Sequence, residues 1–112
     1  MMRYESPATT KEAVALLAKE KGSAFVLAGG TDLLVRMKMG AVEPALVVDI
    51  KRIPAMSEIK STQTGFRIGA AVSGAQLSSH KALSKAWPGV VEATSVIGSD
   101  QIQGRATMVG NL

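Results

Sequence analysis

Residues 28–34 read AGGTDLL, and they decide how the rest of the sequence is interpreted. A short apolar run at 24–27 precedes them, and an apolar segment of helical periodicity follows as far as Gly40. The order strand, glycine turn and helix is typical of a main-chain anion site, because glycines bring bare amides close to a ligand. Thr31 and Asp32 are candidate caps of the following helix, and the Thr31 hydroxyl could also donate to a phosphate oxygen. The segment is neither GxGxxG nor a P-loop, so taken alone it is more often a structural turn.

Composition limits the classes of protein to consider. The 112 residues suffice for one small domain but not for two independent ones. Thirteen basic and nine acidic residues are scattered, and no basic run alternates with aromatics, which argues against a nucleic-acid partner. The chain has no cysteine, which excludes thiolate metal sites and favours a cytoplasmic location. His80 cannot form a metal site alone and is expected in an exposed loop. No apolar run reaches the ~20 residues that are needed to span a bilayer.

The first half of the sequence predicts a parallel β-α-β unit. Thr9 and Glu12 have capping-box spacing, and Gly22 stands where a C-terminal cap belongs, which predicts a helix from Thr10 to Lys21. The apolar run at 24–28 is of the kind that is buried on both faces of a parallel sheet. A helix over 32–39 and a strand over 45–50 that ends near Asp49 complete a unit expected to be right-handed.

The second half has a different pattern, which suggests two lobes. Strands over 57–61 and 65–71 are predicted to form an antiparallel hairpin, followed by helices over 73–79 and 88–97. Residues 98–112 are expected to be irregular. We therefore expect an α/β lobe over 1–54 and the incomplete start of an α+β lobe over 55–112. The abrupt end after a glycine turn suggests a piece of a longer protein, with exposed strand edges that favour self-association.

Four segments resemble the FAD-binding medium subunit of molybdenum hydroxylases, the group that includes carbon monoxide and xanthine dehydrogenases. They are RYESPATTKEAVALL (3–17), VLAGGTDLLVRMKMG (26–40), FRIGAAVSGAQL (66–77) and IGSDQIQGRATMVGNL (97–112). They are similar to the family's opening strand and helix, its first FAD-pyrophosphate loop, its IGAxxTxxxL segment and its second FAD loop. The resemblance covers the whole chain and the N-terminal two-fifths or so of a typical family member.

The resemblance implies a flavoprotein subunit that passes electrons from iron–sulfur centres through FAD, which lies between an α/β lobe and an α+β lobe. It implies two partners, a molybdenum-containing large subunit and an iron–sulfur small subunit, and no catalytic residue in this chain. Residues 28–33 would hold the pyrophosphate through backbone amides, and Ser73 would offer its hydroxyl, although a helix cap is as good an interpretation of that serine. The cofactor-binding residues carried over are Ala28, Gly29, Gly30, Thr31, Asp32, Leu33, Ser73, Thr107, Gly110 and Asn111.

The second loop departs from the family's pattern at three positions. Gln103 stands where arginine is usual, Gly104 where asparagine is usual, and Val109 where the first glycine of GGN is usual. If position 109 requires a positive φ, a β-branched residue there is strained, and its side chain could obstruct a phosphate. Two alternatives therefore stay open: an interaction module that no longer binds cofactor, and a binder of another anion at residues 29–32.

Overall fold

The computed structural model describes residues 2–112, and a three-stranded parallel sheet organises its first half. β1 (Arg3–Glu5) and β2 (Ala24–Leu27) pair in parallel on either side of β3 (Leu46–Asp49). All four residues of β3 are buried, which accounts for its continuous apolar run. The expectation that β2 is buried on both faces is wrong: Val26 is 50% exposed and lines an open cleft, and β2 lies at an edge of this sheet.

Two helices connect these strands. α1 (Thr10–Lys19) begins as predicted, with the Thr9 hydroxyl accepting a hydrogen bond from the Glu12 amide at 3.1 Å. It ends two residues before the predicted Lys21 because Glu20 is already extended, so Gly22 is not its cap. α2 (Leu33–Lys38) lies between β2 and β3, and the predicted parallel pairing of those strands is confirmed.

The second half contains a hairpin followed by four helices. β4 (Ile59–Ser61) and β5 (Phe66–Ile68) pair antiparallel, which confirms the predicted hairpin with shorter strands. A 3-10 helix (Pro54–Ser57) precedes the hairpin and another (Val109–Asn111) lies at the end of the chain. The helices are α3 (Gly74–Ser79), α4 (Lys81–Ala86), α5 (Pro88–Ser95) and α6 (Asp100–Gln103).

Two sequence-based expectations for this half are wrong. Residues 98–112 are not irregular throughout, because α6 forms there with the Ser99 hydroxyl accepting from the Ile102 amide at 3.3 Å. His80 is not an exposed loop residue without a role. It ends α3 and also caps α4, its Nδ1 accepting from the Leu83 amide at 3.1 Å, and its half-buried ring contacts Phe66 edge-on.

The two halves share hydrophobic packing. Leu46 and Val48 of β3 form one core cluster with Ala13 of α1, and Met56 and Ala70 from the second half pack against that cluster. A separate cluster around Val72, Leu77 and Leu83 lies beneath the hairpin and the helices. This packing places the glycine segment after β2 beside the last residues of the chain.

Candidate functional site

The first loop (residues 28–32) and the end of the second loop (residues 107–112) line one cleft of about 610 Å³. Residues 25–33 and Arg36 form one wall, and Thr107 with residues 109–112 forms the opposite part, with Ile50 and Ala70 between them. The volume lies within the ~300–1,000 Å³ typical of small-molecule sites. Residues that are far apart in the sequence therefore meet at one place, as the resemblance implied.

A direct backbone contact joins the two segments at Gly29. A Cβ atom at this position would overlap the carbonyl group of Arg105, which belongs to the second loop and lies two residues before Thr107. The first loop can lie against the second only because position 29 has no side chain. The Arg105 side chain itself is exposed.

The first loop, residues 28–32, presents unused backbone donors. Gly30 has φ +79°, a conformation that L side chains rarely adopt, and its carbonyl accepts from the Leu34 amide to start α2. The amides of residues 29–32 donate no hydrogen bond within residues 2–112. Because polar groups at such a site need partners, these four amides are available to a ligand or to water.

Capping of α2 by Thr31 or Asp32 is not observed. Asp32 occupies the N-cap position but has helical backbone angles, φ −106° and ψ −51°, and makes no side-chain capping bond. A capping side chain needs an extended backbone to reach back to the helix amides. The Asp32 carboxylate instead lies 3.8 Å from the Arg36 guanidinium, one turn further along the helix.

The second loop is a turn that closes on Thr107. The Thr107 side chain is buried, and its hydroxyl accepts from the Gly110 amide at 3.0 Å. Asn111 donates through Nδ2 to the Thr107 carbonyl at 2.9 Å. The expected strain at Val109 is absent: Val109 begins a 3-10 helix, and no residue other than glycine has a positive φ within residues 2–112. Its side chain does line the cleft.

Ser73 lies beside the second loop but not among the residues that line the cleft. Its hydroxyl caps α3 by accepting from the Gln76 amide at 3.1 Å, so the capping interpretation is confirmed. Its backbone forms an isolated bridge with Thr107, and the Gly74 amide donates to the Ala106 carbonyl at 2.8 Å. Ser73 therefore helps to fix Thr107, and its contact with a cofactor stays a prediction.

The charges in the cleft include a residue that the sequence analysis missed. Within the described part of the chain, Arg36 is the one basic side chain that lines the cleft, and Asp32 is the one acidic side chain. Their side chains are 47% and 84% exposed, so this ion pair is weak. The four-residue spacing on a predicted helix was the signal that could have identified Arg36.

A second polar cluster lies next to the cleft, at the ends of the three parallel strands. Asp49 is 5% exposed and accepts from the Tyr4 hydroxyl, from the Lys51 amide at 2.9 Å and from Lys51 Nζ at 2.9 Å. Burial would raise the pKa of the Asp49 carboxyl, but the bonds from Tyr4 and Lys51 together lower it below its ordinary value. The bond to Asp49 raises the pKa of the Tyr4 hydroxyl. The structure thus supports a structural role for Asp49.

No group of three or more His, Asp or Glu side chains in residues 2–112 could hold a metal ion. In the same part of the chain, none of the helices combines the length and the apolar character needed to cross a membrane.

Comparison with known proteins identifies the family. The model of the FAD-binding domain in molybdopterin dehydrogenase matches residues 1–112. The chain therefore belongs to this family of FAD-binding domains, and the resemblance seen in the sequence is confirmed. The cofactor that goes with this membership is FAD.

Individual relatives agree with the assignment. The chain is 34% identical over 109 residues to the carbon monoxide dehydrogenase medium chain of Hydrogenophaga pseudoflava, covering 97% of this chain and 38% of the relative. It is 32% identical over 111 residues to the nicotine 6-hydroxylase medium subunit of Paenarthrobacter nicotinovorans, covering 99% and 39%. The chain thus spans about two-fifths of these curated relatives and corresponds to the N-terminal portion of such a subunit.

Solved structures confirm the fold. A carbon monoxide dehydrogenase structure from Hydrogenophaga pseudoflava superposes with a TM-score of 0.92 at 34% identity, over 98% of this chain and 38% of that one. The quinoline 2-oxidoreductase of Pseudomonas putida 86 gives 0.91 at 24% identity, which concerns the fold alone. The predicted mixture of a small parallel sheet and an α+β part is therefore correct.

The residues that line the cleft are chemically suited to an FAD diphosphate. The cleft offers four unused amides in the first loop and one cationic side chain, that of Arg36. Where the first loop comes closest to the second, at the Arg105 carbonyl, it has a residue without a side chain, Gly29. Such a set of backbone donors with one positive charge suits a phosphate oxygen, which accepts hydrogen bonds and carries negative charge.

Proposed function

We propose that this chain forms the diphosphate-binding part of the FAD site in a molybdenum hydroxylase medium subunit. Ala28, Gly29, Gly30, Thr31, Asp32 and Leu33 would contribute backbone amides from one side, and Thr107, Gly110 and Asn111 would close the site from the other. The proposal rests on one observation: both segments line the same cleft and touch at Gly29. Ser73 would act on the site mainly through Thr107, with which its backbone pairs.

The chain's own contribution would be binding and orientation. When bound, FAD supplies the electron-transfer chemistry, and the protein sets its position and surroundings. We propose that Arg36 offsets the charge of the diphosphate and that the buried turn at Thr107 keeps the second wall rigid. Within the whole subunit, the FAD would pass electrons from iron–sulfur centres to an acceptor.

The assembly and the organisation of the chain are part of the same proposal. Relatives whose names identify them as medium chains or subunits indicate multisubunit enzymes. We propose a molybdenum-containing large subunit and an iron–sulfur small subunit as partners, in the cytoplasm, with lobes over 1–54 and 55–112. Because the chain spans about two-fifths of its relatives, the isolated chain would be inactive in electron transfer.

The first experiment is a ligand series on the purified protein. FAD, ADP and riboflavin are titrated separately and followed by calorimetry, because ADP has the diphosphate without the flavin and riboflavin has the flavin without a phosphate. FAD and ADP are expected to bind, and riboflavin is expected to bind at least about tenfold more weakly than FAD. Equal affinity for riboflavin and FAD would contradict a diphosphate site.

An interaction module is the second candidate function. Trp87 is 55% exposed and Val26 of the edge strand is 50% exposed, so apolar surface and an open strand edge are both available to another protein. Failure of FAD and ADP to bind, together with stable association with a partner subunit, would favour this function. Binding of another anion at residues 29–32 would be revealed by a thermal-shift panel in which inorganic phosphate stabilises the protein and FAD does not.

A further inference from the structure

A lysine from outside the first loop holds the carbonyl group with which that loop begins. Lys51 follows β3, and its Nζ lies 2.8 Å from the carbonyl oxygen of Ala28 and 2.9 Å from Oδ2 of Asp49. The Lys51 amide donates to the other carboxylate oxygen of Asp49 at 2.9 Å. The ammonium group is therefore anchored on a buried carboxylate while it donates to the loop.

The anchor extends across the whole parallel sheet. Tyr4 of β1 donates its hydroxyl to Asp49 of β3, and Ala28 directly follows β2. Parallel strands bring their carboxyl ends to one edge of the sheet, so the three strands meet at this cluster. The first glycine segment thus begins at a point that is tied to all three strands.

The geometry of the peptide bond transmits this tie to the next residue. The carbonyl of Ala28 and the amide of Gly29 belong to one planar trans peptide, in which C=O and N–H point in roughly opposite directions. Fixing the oxygen therefore fixes the direction of the Gly29 N–H group. Because Gly29 has no Cβ, its own backbone angles restrict the orientation of this peptide less than those of another residue would, and the bond from Lys51 adds a restraint.

We propose that Lys51 is a positioning residue for the cofactor: it holds the Ala28–Gly29 peptide so that the Gly29 amide is preorganised for the diphosphate. This inference rests on the proposed function, because it assumes that the first loop binds FAD. Lys51 would act through the loop and not by touching the ligand. Preorganisation of this kind increases affinity by removing part of the ordering cost of binding.

The test compares three variants of the purified protein. Lys51→Met removes the donor, Lys51→Arg restores a cationic donor, and Lys60→Met is the matched control because Lys60 is an exposed lysine on β4. Lys51→Met is expected to weaken FAD binding about tenfold, because the loop must then be ordered when the cofactor binds. Lys60→Met should bind like the parent, and Lys51→Arg should recover most of the affinity.

A second measurement separates positioning from general stability and from simple charge attraction. In the ligand-free protein, the Gly29 amide resonance is expected to broaden in Lys51→Met through exchange between peptide orientations. The ratio of the FAD dissociation constants of Lys51→Met and the parent should also persist at high salt. A simple attraction between Lys51 and the cofactor through solvent would be screened beyond about 10 Å at 0.1 M. If Lys51→Met does not fold, Asp49→Asn replaces it, since it keeps the lysine and removes its anchor.

Two results would overturn the inference, and they can be told apart. Equal FAD affinity for Lys51→Met and Lys60→Met, with an unchanged Gly29 resonance, overturns the positioning role and leaves the proposed function standing. A parent protein that binds no FAD overturns the proposed function, and the positioning role with it.

Discussion

Gly29 lies against the backbone carbonyl of Arg105, so closely that a Cβ atom at position 29 would overlap it. The carbonyl carbon of Arg105 lies 2.6 Å from the same point and the amide nitrogen of Ala106 lies 3.4 Å from it. The contact is between main-chain groups, so repacking of side chains cannot relieve it. The two loops that line the cleft can therefore lie this close together only when residue 29 is glycine.

The first prediction is that Gly29→Ala destabilises the protein. Overfilling a packed contact costs about 1–3 kcal/mol, and we expect the upper part of that range because the obstacle is backbone. Urea unfolding measures the change in free energy. The matched control is Gly89→Ala in α5, where a Cβ meets nothing within 4 Å and the stability should rise by about 0.4–1 kcal/mol. Equal effects of the two substitutions would contradict the close contact.

The second prediction concerns the charged pair on α2. Arg36→Gln is expected to weaken FAD and ADP binding by about threefold to tenfold, because it removes the cation that lines the cleft. Asp32→Asn should strengthen binding, since it removes a negative charge and releases Arg36. Calorimetric titration measures both effects. The matched control is Lys38→Gln, which removes a positive charge from the same helix at a residue that does not line the cleft. A loss of affinity in Lys38→Gln equal to that in Arg36→Gln would contradict a specific role for Arg36.

The elements that the sequence predicted well are those set by neighbours along the chain. Thr9 and Glu12 are three residues apart, and the capping bond between them forms as their spacing indicated. The hairpin and the β2–β3 pairing likewise follow from local patterns of apolar and turn residues. Physical interactions within a few residues can be inferred from their order, because the backbone limits where the partners can be.

The parts that the sequence did not predict depend on distant partners. That β2 is an edge strand depends on which strand pairs with which, and an apolar run does not encode this. His80 caps two helices because α3 ends and α4 begins at this residue. Its polar neighbours in the sequence instead indicated an exposed loop. The tie from Lys51 to Ala28 joins two loops and has no periodic signal. For the cleft, the sequence identified the two loops through resemblance and missed Arg36.

The third prediction is a loss of stability in acid that depends on Asp49. Its pKa is lowered in the folded protein, so the folded state binds fewer protons than the unfolded state just below the ordinary value of 3.8. The contribution is therefore complete above about pH 3.8 and is lost as the pH falls through the lower folded pKa. Urea unfolding between pH 7 and the acid limit measures it.

Two variants check that this dependence belongs to the cluster around Asp49. Asp49→Asn should have lower stability at neutral pH and a flatter dependence on acid, since the titrating group is gone. Tyr4→Phe removes one bond that lowers the pKa of Asp49, so the folded pKa moves back towards its ordinary value and the acid-dependent loss of stability should be smaller than in the parent. An Asp49→Asn protein whose stability falls as steeply as that of the parent would assign the acid sensitivity to other carboxylates.

The fourth prediction is that the protein self-associates through the open edge of the parallel sheet. β2 has no partner on its outer side within residues 2–112, and Val26 on this strand is 50% exposed. An unpaired edge with an apolar side chain favours pairing with another chain. Light scattering over a range of concentrations should therefore detect a dimer, and Val26→Lys should weaken it because a charged edge opposes strand pairing. Val14→Lys is the matched control, since Val14 is 59% exposed but lies on α1, away from the edge. A strict monomer at high concentration, or equal weakening by the two lysine substitutions, would exclude association through β2.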